Sequence, residues 1–176
     1  MSTPFKVDID DLEFTFFEQL KVADRLKDTE RYADIDEDTY KQTFAEARKV
    51  AEDVLHPING PGDRQGCSLD DEGNVTTPKG YLVAWKTIAE GGWIAPSAPP
   101  ELGGVGLPKA VEMDCQEFFV SSATAFMMYP GLTAAAARML EEFGDDSYKE
   151  LVATKLFTGE WAGTMCLTES GAGSSV

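Results

Sequence analysis

The residues best suited to chemistry lie at the end of the chain, between Thr168 and Ser175, where glycines alternate with hydroxyl-bearing residues. Gly171 and Gly173 permit backbone conformations with positive φ, which let main-chain N–H groups approach a ligand closely. Thr168, Ser174 and Ser175 add hydroxyls that donate or accept hydrogen bonds. The loop could therefore cradle a phosphate or the polar edge of a cofactor, but most Gly- and Ser-rich segments after strands are ordinary turns.

Metal and triad chemistry are disfavoured by the cysteine and histidine inventory. The three cysteines, Cys67, Cys115 and Cys166, form no C-x-x-C pair, and His56 is the single histidine. A structural zinc site needs four nitrogen or sulfur ligands at close spacing, so we predict no metal site and a reducing compartment. His56 precedes Pro57 at a predicted helix end, where it interacts with the helix dipole rather than acting as a triad base.

Composition narrows the class of protein. The chain has 176 residues, with 15 Lys plus Arg against 31 Asp plus Glu, giving a formal charge of −16, and 43% of its residues are hydrophobic. The core-forming content excludes disorder throughout, and the length suits one domain of roughly 100–150 residues with little else. The acidity excludes nucleic acid and anionic membranes as partners, since both need Lys and Arg. With no signal peptide and no apolar run near ~20 residues, we expect a soluble, cytoplasmic protein.

Helical periodicity runs through nearly the whole chain and must position the terminal loop. We expect Pro57 and the stretch 127–131 to end helices, Thr77 to cap one, and Ser147 with Glu150 to form a capping box. The Gly- and Pro-rich stretches 59–77 and 96–108 are predicted loops. The predicted helices span residues 10–26, 40–55, 78–90, 108–126, 132–143 and 147–157.

The pattern changes at Trp161, after which residues 162–168 have strand-like composition. A lone edge strand leaves its backbone donors and acceptors without partners, so we expect the chain to be interrupted at the start of a second domain. The tryptophans Trp85, Trp93 and Trp161 are predicted to lie in the core.

At these residues the chain resembles the acyl-CoA dehydrogenase family. The stretch from Met165 to Ser175 is similar to the family signature L-T-E-P-x-A-G-S-D, and the resemblance covers essentially the whole chain. The segment Asp10–Phe14 and the Gly-Asp-Arg-x-Gly-Cys loop are similar to the large-subunit branch, which includes 3-methylmercaptopropionyl-CoA dehydrogenases. The other matching motifs follow in order: Ala51–Leu55 with Pro57, Gly62–Cys67, Val75–Gly80, Gly91–Trp93 and Gly103–Pro108.

The resemblance implies a mainly α fold, the N-terminal helical domain of this family, followed by the first strand of a middle β-domain. It divides the chain into an N-terminal helical extension (1–36), the helical domain (37–160) and the truncated start of the β-domain (161–176). It also implies FAD as cofactor and an acyl-CoA thioester as substrate. The implied FAD-contacting residues are Met165, Cys166, Leu167, Thr168, Gly171, Gly173 and Ser174.

The same resemblance supplies candidate substrate contacts. Ser174 corresponds to a position that contacts the CoA portion. At the end of the long helix, flexible methionines and flat aromatic rings suit an acyl tail, although ordinary core packing is the commoner role for such residues. These candidate lining residues are Phe126, Met127, Met128 and Tyr129.

The resemblance places no catalytic residue in this chain. The glutamate that removes the α-proton, while the β-hydrogen leaves as hydride to flavin N5, belongs to a C-terminal domain beyond it. We expect Glu169 to form local hydrogen bonds and this chain alone to be inactive. Ser170 and Ser175 stand where the signature has Pro and Asp, which loosens the expected turn.

Three alternatives stay open from the sequence. A flavin monooxygenase or a nitroalkane oxidase could share the helical domain, and a complete helical interaction module could use the acidic face for a basic partner. For a dehydrogenase, the resemblance implies an electron-transfer flavoprotein or similar acceptor and a homo-oligomeric full-length protein.

Overall fold

The structure is a computed structural model that describes residues 5–173. It is mainly α, as predicted. The helices are α1 (Ile9–Glu13), α2 (Val22–Lys27), α3 (Glu37–Lys49), α4 (His56–Gln65), α5 (Tyr81–Glu90), α6 (Lys109–Phe143), α7 (Asp146–Tyr148) and α8 (Thr154–Phe157). Three π-helical turns, Phe14–Gln19, Val50–Leu55 and Lys149–Ala153, adjoin them, and 3-10 turns cover Glu30–Tyr32 and Pro100–Leu102.

The predicted first helix is interrupted. Asp8 caps α1 by accepting from the Asp11 amide at 3.2 Å, which satisfies one of the free N–H groups of its first turn. The π turn follows, and Lys21, with φ of 50°, breaks the helix before α2. A left-handed residue cannot continue a right-handed helix, so two short helices replace the single one that periodicity predicted.

The second predicted helix runs past its expected stop. From α3 it passes through the π turn Val50–Leu55 into α4, so Pro57 lies inside a continuous helical segment. The backbone N–H of His56 donates to the carbonyl of Ala51, five residues back. This wider turn accommodates Pro57, which has no N–H to donate. The prediction that Pro57 ends the helix was wrong, and residues 59–65 are helical rather than loop.

A short hairpin follows α4. Strands β1 (Ser68–Leu69) and β2 (Val75–Thr76) pair antiparallel. The Asp70 carboxylate closes the turn by accepting from the amides of Glu72 at 3.0 Å and Asn74 at 2.8 Å. Helix α5 then begins at Tyr81 after Gly80 in left-handed conformation, so the predicted Thr77 cap is not formed.

The long helix α6 was predicted as two. It continues through Pro130, and its only non-helical residue is Ala123 (φ −152°, ψ 66°). Ser121 and Ser122 donate their hydroxyls back to the carbonyls of Glu117 at 2.6 Å and Phe119 at 2.8 Å, a pattern that bends helices. The predicted break at 127–131 was therefore wrong, and the kink lies seven residues before Pro130.

The last helical stretch, α7 to α8, begins after Asp145 rather than at the predicted Ser147–Glu150 capping box. It packs on the second half of α6, forming a cluster of small residues with Leu156 and Phe157. A larger cluster forms where the first half of α6 packs against α3, the π turn Val50–Leu55 and α5. Ala134 packs against both clusters, so α6 is the element they share.

A buried polar network ties α6 to the loop before it. Glu112, 5% exposed, accepts from the Ser97 amide at 2.8 Å and the Ser97 hydroxyl at 2.6 Å, and also from Lys109. Arg138 reaches the same Ser97 hydroxyl at 2.6 Å and lies 5.3 Å above the Phe157 ring. Burial alone would raise the pKa of Glu112, but the hydrogen bonds from Lys109 and Ser97 outweigh it and lower that pKa. One carboxylate thus links the loop with both halves of α6.

Candidate functional site

The terminal segment, residues 161–173, leaves the helices after α8 and runs over α6. The Trp161 amide donates to the Lys155 carbonyl at 3.0 Å, and the Lys155 ammonium lies 4.7 Å from the centre of the Trp161 ring. Trp161 is 44% exposed, so the prediction that it lies in the core was wrong. Trp85 and Trp93 pack against the larger core cluster, as predicted.

Residues 162–168 form no β-ladder. Across residues 5–173 the strands are the hairpin pair β1 and β2, and neither pairs with this segment. The strand-like composition therefore produces a segment without regular secondary structure, because a strand needs a neighbour to receive its hydrogen bonds. The predicted strand is absent from the described structure for this reason.

The predicted FAD-contacting residues lie together along this segment. Met165, Cys166, Leu167 and Thr168 are all exposed, Leu167 at 65%. A turn follows in which the amides of Ala172 and Gly173 both donate to the Glu169 carbonyl at 3.2 Å. A Cβ added at Gly171 or Gly173 would meet no atom within 4 Å, so the turn opens to solvent. Ser174 lies outside the described residues.

The segment offers unused hydrogen-bond donors. Within the part of the chain that the structure describes, the backbone amides of residues 164–171 make no hydrogen bond, and neither does the Thr168 hydroxyl. In water such groups are solvated, but a polar ligand that covers the segment could accept from them. The chemistry that these free donors offer is hydrogen bonding to an electron-rich edge.

The start of the segment is fixed to α6 by Thr133. The Thr133 side chain is fully buried, and its Oγ accepts from the Gly163 amide at 3.2 Å. Its proton goes to the Tyr129 carbonyl at 2.9 Å rather than to the Gly163 carbonyl at 3.5 Å. Thr133 was missed at the sequence level because no local motif connects residues thirty positions apart.

The four predicted acyl-lining residues do not share one environment. Phe126 and Met127 are 3% exposed and belong to the larger core cluster, where Phe126 makes an edge contact with Tyr81 at 5.3 Å. Met128 and Tyr129 are exposed, and the Tyr129 ring lies 4.7 Å from that of Trp85. A groove of about 380 Å³ beside Trp85 is lined by α5 and residues 158–160, and none of the four lines it.

Cys115 and His56 pack against other side chains, whereas Cys67 and Cys166 are exposed. Cys115 is buried in the core, and burial raises the pKa of its thiol to about 12. His56 begins α4 rather than ending a helix, and its ring stacks on Phe5 at 5.3 Å. Among residues 5–173, no three His, Cys, Asp or Glu side chains are grouped to hold a metal ion. In the same residues, no helix is both long and apolar enough to cross a membrane.

A second cleft, of about 420 Å³, lies between residues 5–15 and α6. Asp114 lines it beside Glu117, and the N-terminal wall contributes Lys6, Asp8 and Asp11. Burial, with a smaller contribution from the Glu117 charge, raises the pKa of Asp114 from 3.8 to about 6.

We expect Asp114→Asn to stabilise the chain at neutral pH. The Asp114 carboxyl ionises less readily when folded than when unfolded, so it costs stability as pH rises from 3.8 to about 6. Because Asp114 is only half-buried, solvent screening limits the gain to about 1 kcal/mol. Thermal melts should show the gain at neutral pH and none below pH 3.8. The exposed control Asp71→Asn should melt like the wild type at both, and an equal rise in both variants would contradict the assignment.

The described helices define a mainly α domain, and residues 164–171 at its edge make no backbone hydrogen bond through their amides among the described residues. Residues 37–160 match the family model described as the N-terminal domain of acyl-CoA dehydrogenases. The chain therefore belongs to the acyl-CoA dehydrogenase family, which confirms the resemblance found in its motifs.

Curated relatives extend the similarity beyond that domain. The chain is 33% identical to 3-methylmercaptopropionyl-CoA dehydrogenase of Ruegeria pomeroyi over 98% of the chain and 29% of the relative. It is 31% identical to a broad-specificity linear acyl-CoA dehydrogenase of Mycobacterium tuberculosis over 98% of the chain and 28% of the relative. A butyryl-CoA dehydrogenase of Syntrophomonas wolfei is 34% identical over 73% of the chain and 21% of the relative. The chain thus spans less than a third of the length of these relatives.

Proposed function

We propose that this chain is the N-terminal part of an FAD-dependent acyl-CoA dehydrogenase that oxidises the Cα–Cβ bond of an acyl-CoA thioester. The observation that carries the proposal is a row of exposed residues, 164–171, whose amides find no hydrogen-bond partner among residues 5–173, next to the Thr168 hydroxyl, in a chain of this family. A substrate such as 3-methylmercaptopropionyl-CoA is supported by the similarity to the Ruegeria pomeroyi enzyme.

The donor set fits the polar edge of a flavin. Its pyrimidine edge carries carbonyl oxygens and ring nitrogens, which the amides of Leu167 and Thr168 and the Thr168 hydroxyl would meet with hydrogen bonds. The open space at Gly171 and Gly173 leaves a ligand free to approach the turn. Donors at the N1–O2 side stabilise negative charge on the ring system, which is the protein's contribution to such chemistry.

The residues of this chain bind and orient; they do not carry the proton chemistry. Bound FAD would accept the β-hydrogen of the substrate as a hydride. We assign the base that removes the α-proton to no residue between 1 and 176. Glu169 has a structural role in this proposal, since its backbone carbonyl accepts from the amides of Ala172 and Gly173 in the turn. Ser174 is the candidate contact to the CoA portion, and the exposed Met128 and Tyr129 are the better candidates of the four for an acyl wall.

Three expectations accompany the proposal on the strength of the resemblance. They are an electron-transfer flavoprotein or similar acceptor, a homo-oligomeric full-length protein and a cytoplasmic location. The acyl-CoA dehydrogenase names of the relatives favour a dehydrogenase over a monooxygenase, a nitroalkane oxidase or a binding module.

The test is to express the complete reading frame that contains this chain and to replace Thr168 by valine. We expect the wild type to purify with flavin and to be bleached anaerobically by an acyl-CoA. Thr168→Val should weaken FAD binding about tenfold, the effect of losing one hydrogen bond, as measured by titration of the apoprotein.

Two variants control the result. Thr168→Ser keeps the hydroxyl and should bind FAD like the wild type, and Thr77→Val removes an exposed hydroxyl after β2 and should change nothing. A full-length protein without flavin, or one that acyl-CoA does not bleach, would refute the proposed function.

A further inference from the structure

We propose that Thr133 is the positioning residue for the flavin-contacting segment: its buried hydroxyl fixes Gly163 against α6. The hydroxyl thereby sets where the amides of residues 164–168 lie, which make no hydrogen bond within the described part of the chain. The inference rests on the proposed function for the identity of the ligand. The contact itself is a feature of the chain alone.

The first observation is that this attachment is isolated. Within residues 5–173, the hydrogen bonds between residues 162–173 and the rest of the chain are those between Thr133 and Gly163. Trp161, which follows α8, donates its amide to the Lys155 carbonyl of that helix and makes no other hydrogen bond among the described residues. Beyond Gly163 the chain is exposed up to the turn at Glu169. The direction in which the segment leaves the helices is therefore determined at one point.

The second observation is steric. Gly163 lies so close to α6 that an added Cβ would be 2.7 Å from the Cβ of Ala136 and 3.5 Å from the Cα of Thr133. A side chain at residue 163 would push the segment away from the helix. Glycine at 163 and a small residue at 136 thus permit the approach, and the Thr133 hydroxyl holds it.

The third observation is that the hydroxyl has a defined direction. Thr133 is fully buried, and its single proton is engaged by the Tyr129 carbonyl at 2.9 Å within the helix. The lone pairs that remain point to the Gly163 amide at 3.2 Å. Because the proton is committed, the hydroxyl acts as an acceptor towards the segment, a role that valine cannot fill and serine can.

The experiment uses the full-length flavoprotein with Thr133→Val, which has nearly the same shape but no acceptor. We expect FAD affinity to fall about tenfold and deuterium exchange at the Gly163 amide to speed up about tenfold. Thr133→Ser should restore both. The matched control is Thr124→Val, since the Thr124 hydroxyl also bonds back within α6, to the Val120 carbonyl at 2.8 Å, and makes no hydrogen bond to another segment among the described residues.

Gly163→Ala tests the contact from the other side and keeps the proposal falsifiable if Thr133→Val does not fold. It leaves the hydroxyl in place but displaces the segment, so the same loss of FAD affinity is expected. Faster exchange at Gly163 with unchanged FAD affinity would overturn the positioning role and leave only a structural one. Thr133→Val behaving as Thr124→Val in both measurements would overturn the contact as well.

Failure of the proposed function gives a different pattern. In that case the wild type itself binds no FAD, and the positioning role falls with it, while the exchange difference between Thr133→Val and Thr124→Val persists. A variant-specific loss of FAD, by contrast, occurs only if both the function and the role of Thr133 hold.

Discussion

Replacing Glu112 by alanine is expected to lower the free energy of unfolding by about 3 kcal/mol at neutral pH. Glu112 is the shared acceptor of the network, and its loss leaves the Ser97 amide and hydroxyl without their carboxylate acceptor. Arg138 loses its 3.4 Å contact with Glu112 and keeps its ion pair with Glu141 at 3.0 Å. Two hydrogen bonds to a buried charged acceptor are lost, and a buried donor left unsatisfied carries a desolvation cost. Urea unfolding should report the loss as a lower midpoint with an unchanged slope.

The pH dependence of this stabilisation follows from the lowered pKa of Glu112. A carboxyl that ionises more readily when folded stabilises the chain above its unfolded pKa, and that contribution is lost as pH falls below about 4.5. The difference between wild type and Glu112→Ala should therefore shrink in acid. Glu112→Gln, which keeps an acceptor for Ser97 but not the charge, should fall between them.

Glu142→Ala is the control for this prediction. Glu142 lies on the same helix, is exposed and makes no ion pair among the described residues. Its replacement should change the unfolding free energy by less than about 0.5 kcal/mol. Equal effects at 112 and 142 would show that helix propensity, not the network, is being measured.

The second large effect is expected at Gly104, in the loop before α6. An added Cβ would lie 2.1 Å from the Ala98 carbonyl oxygen and 2.3 Å from its carbon, both backbone atoms that no rotamer change can move away. Relief requires a backbone shift in a loop that also presents Ser97 to Glu112. Gly104→Ala should therefore cost about 3 kcal/mol, at the upper end for overpacking.

Gly131→Ala is the matched control for Gly104→Ala. Gly131 lies inside α6, and an added Cβ there would meet nothing within 4 Å. Alanine is about 1 kcal/mol better than glycine in a helix, so this variant should be more stable than the wild type. The same substitution, glycine to alanine, should therefore lower the melting temperature at residue 104 and raise it at residue 131. A lower melting temperature for both variants would contradict the steric argument.

Periodicity predicted the core face of α3 correctly because the helix is amphipathic throughout. Tyr40, Phe44 and Ala47 follow the helical spacing and are all buried. Proline was the misleading signal: Pro57 and Pro130 both lie inside helices. A proline in a helix removes one backbone hydrogen bond. At Pro130 the burial of the proline side chain outweighs this loss, and at Pro57 the preceding π turn accommodates the missing N–H.

Some residues of the candidate site could be found from a local motif, whereas others depend on contacts between residues far apart in the sequence. The motif Leu167-Thr168-Glu169 is contiguous, so it was recognisable from the sequence alone. Thr133 and Glu112 are not recognisable in that way, because a threonine in an alanine-rich helix and a glutamate after a lysine are ordinary helix residues. Their partners, Gly163 and Ser97, are brought to them only by the folded chain.

The bend at the buried Ala123 sets the direction of the second half of α6 relative to the first half. Thr133 lies ten residues beyond the bend, which at the helical rise corresponds to an arm of about 15 Å. A change of about five degrees in the direction of this half of the helix would displace Thr133 by about 1 Å, and a displacement of that size impairs an oriented binding site. If Thr133 positions the segment, the backbone torsions of the buried Ala123 also affect where the amides after Gly163 lie, because the second half of α6 carries Thr133.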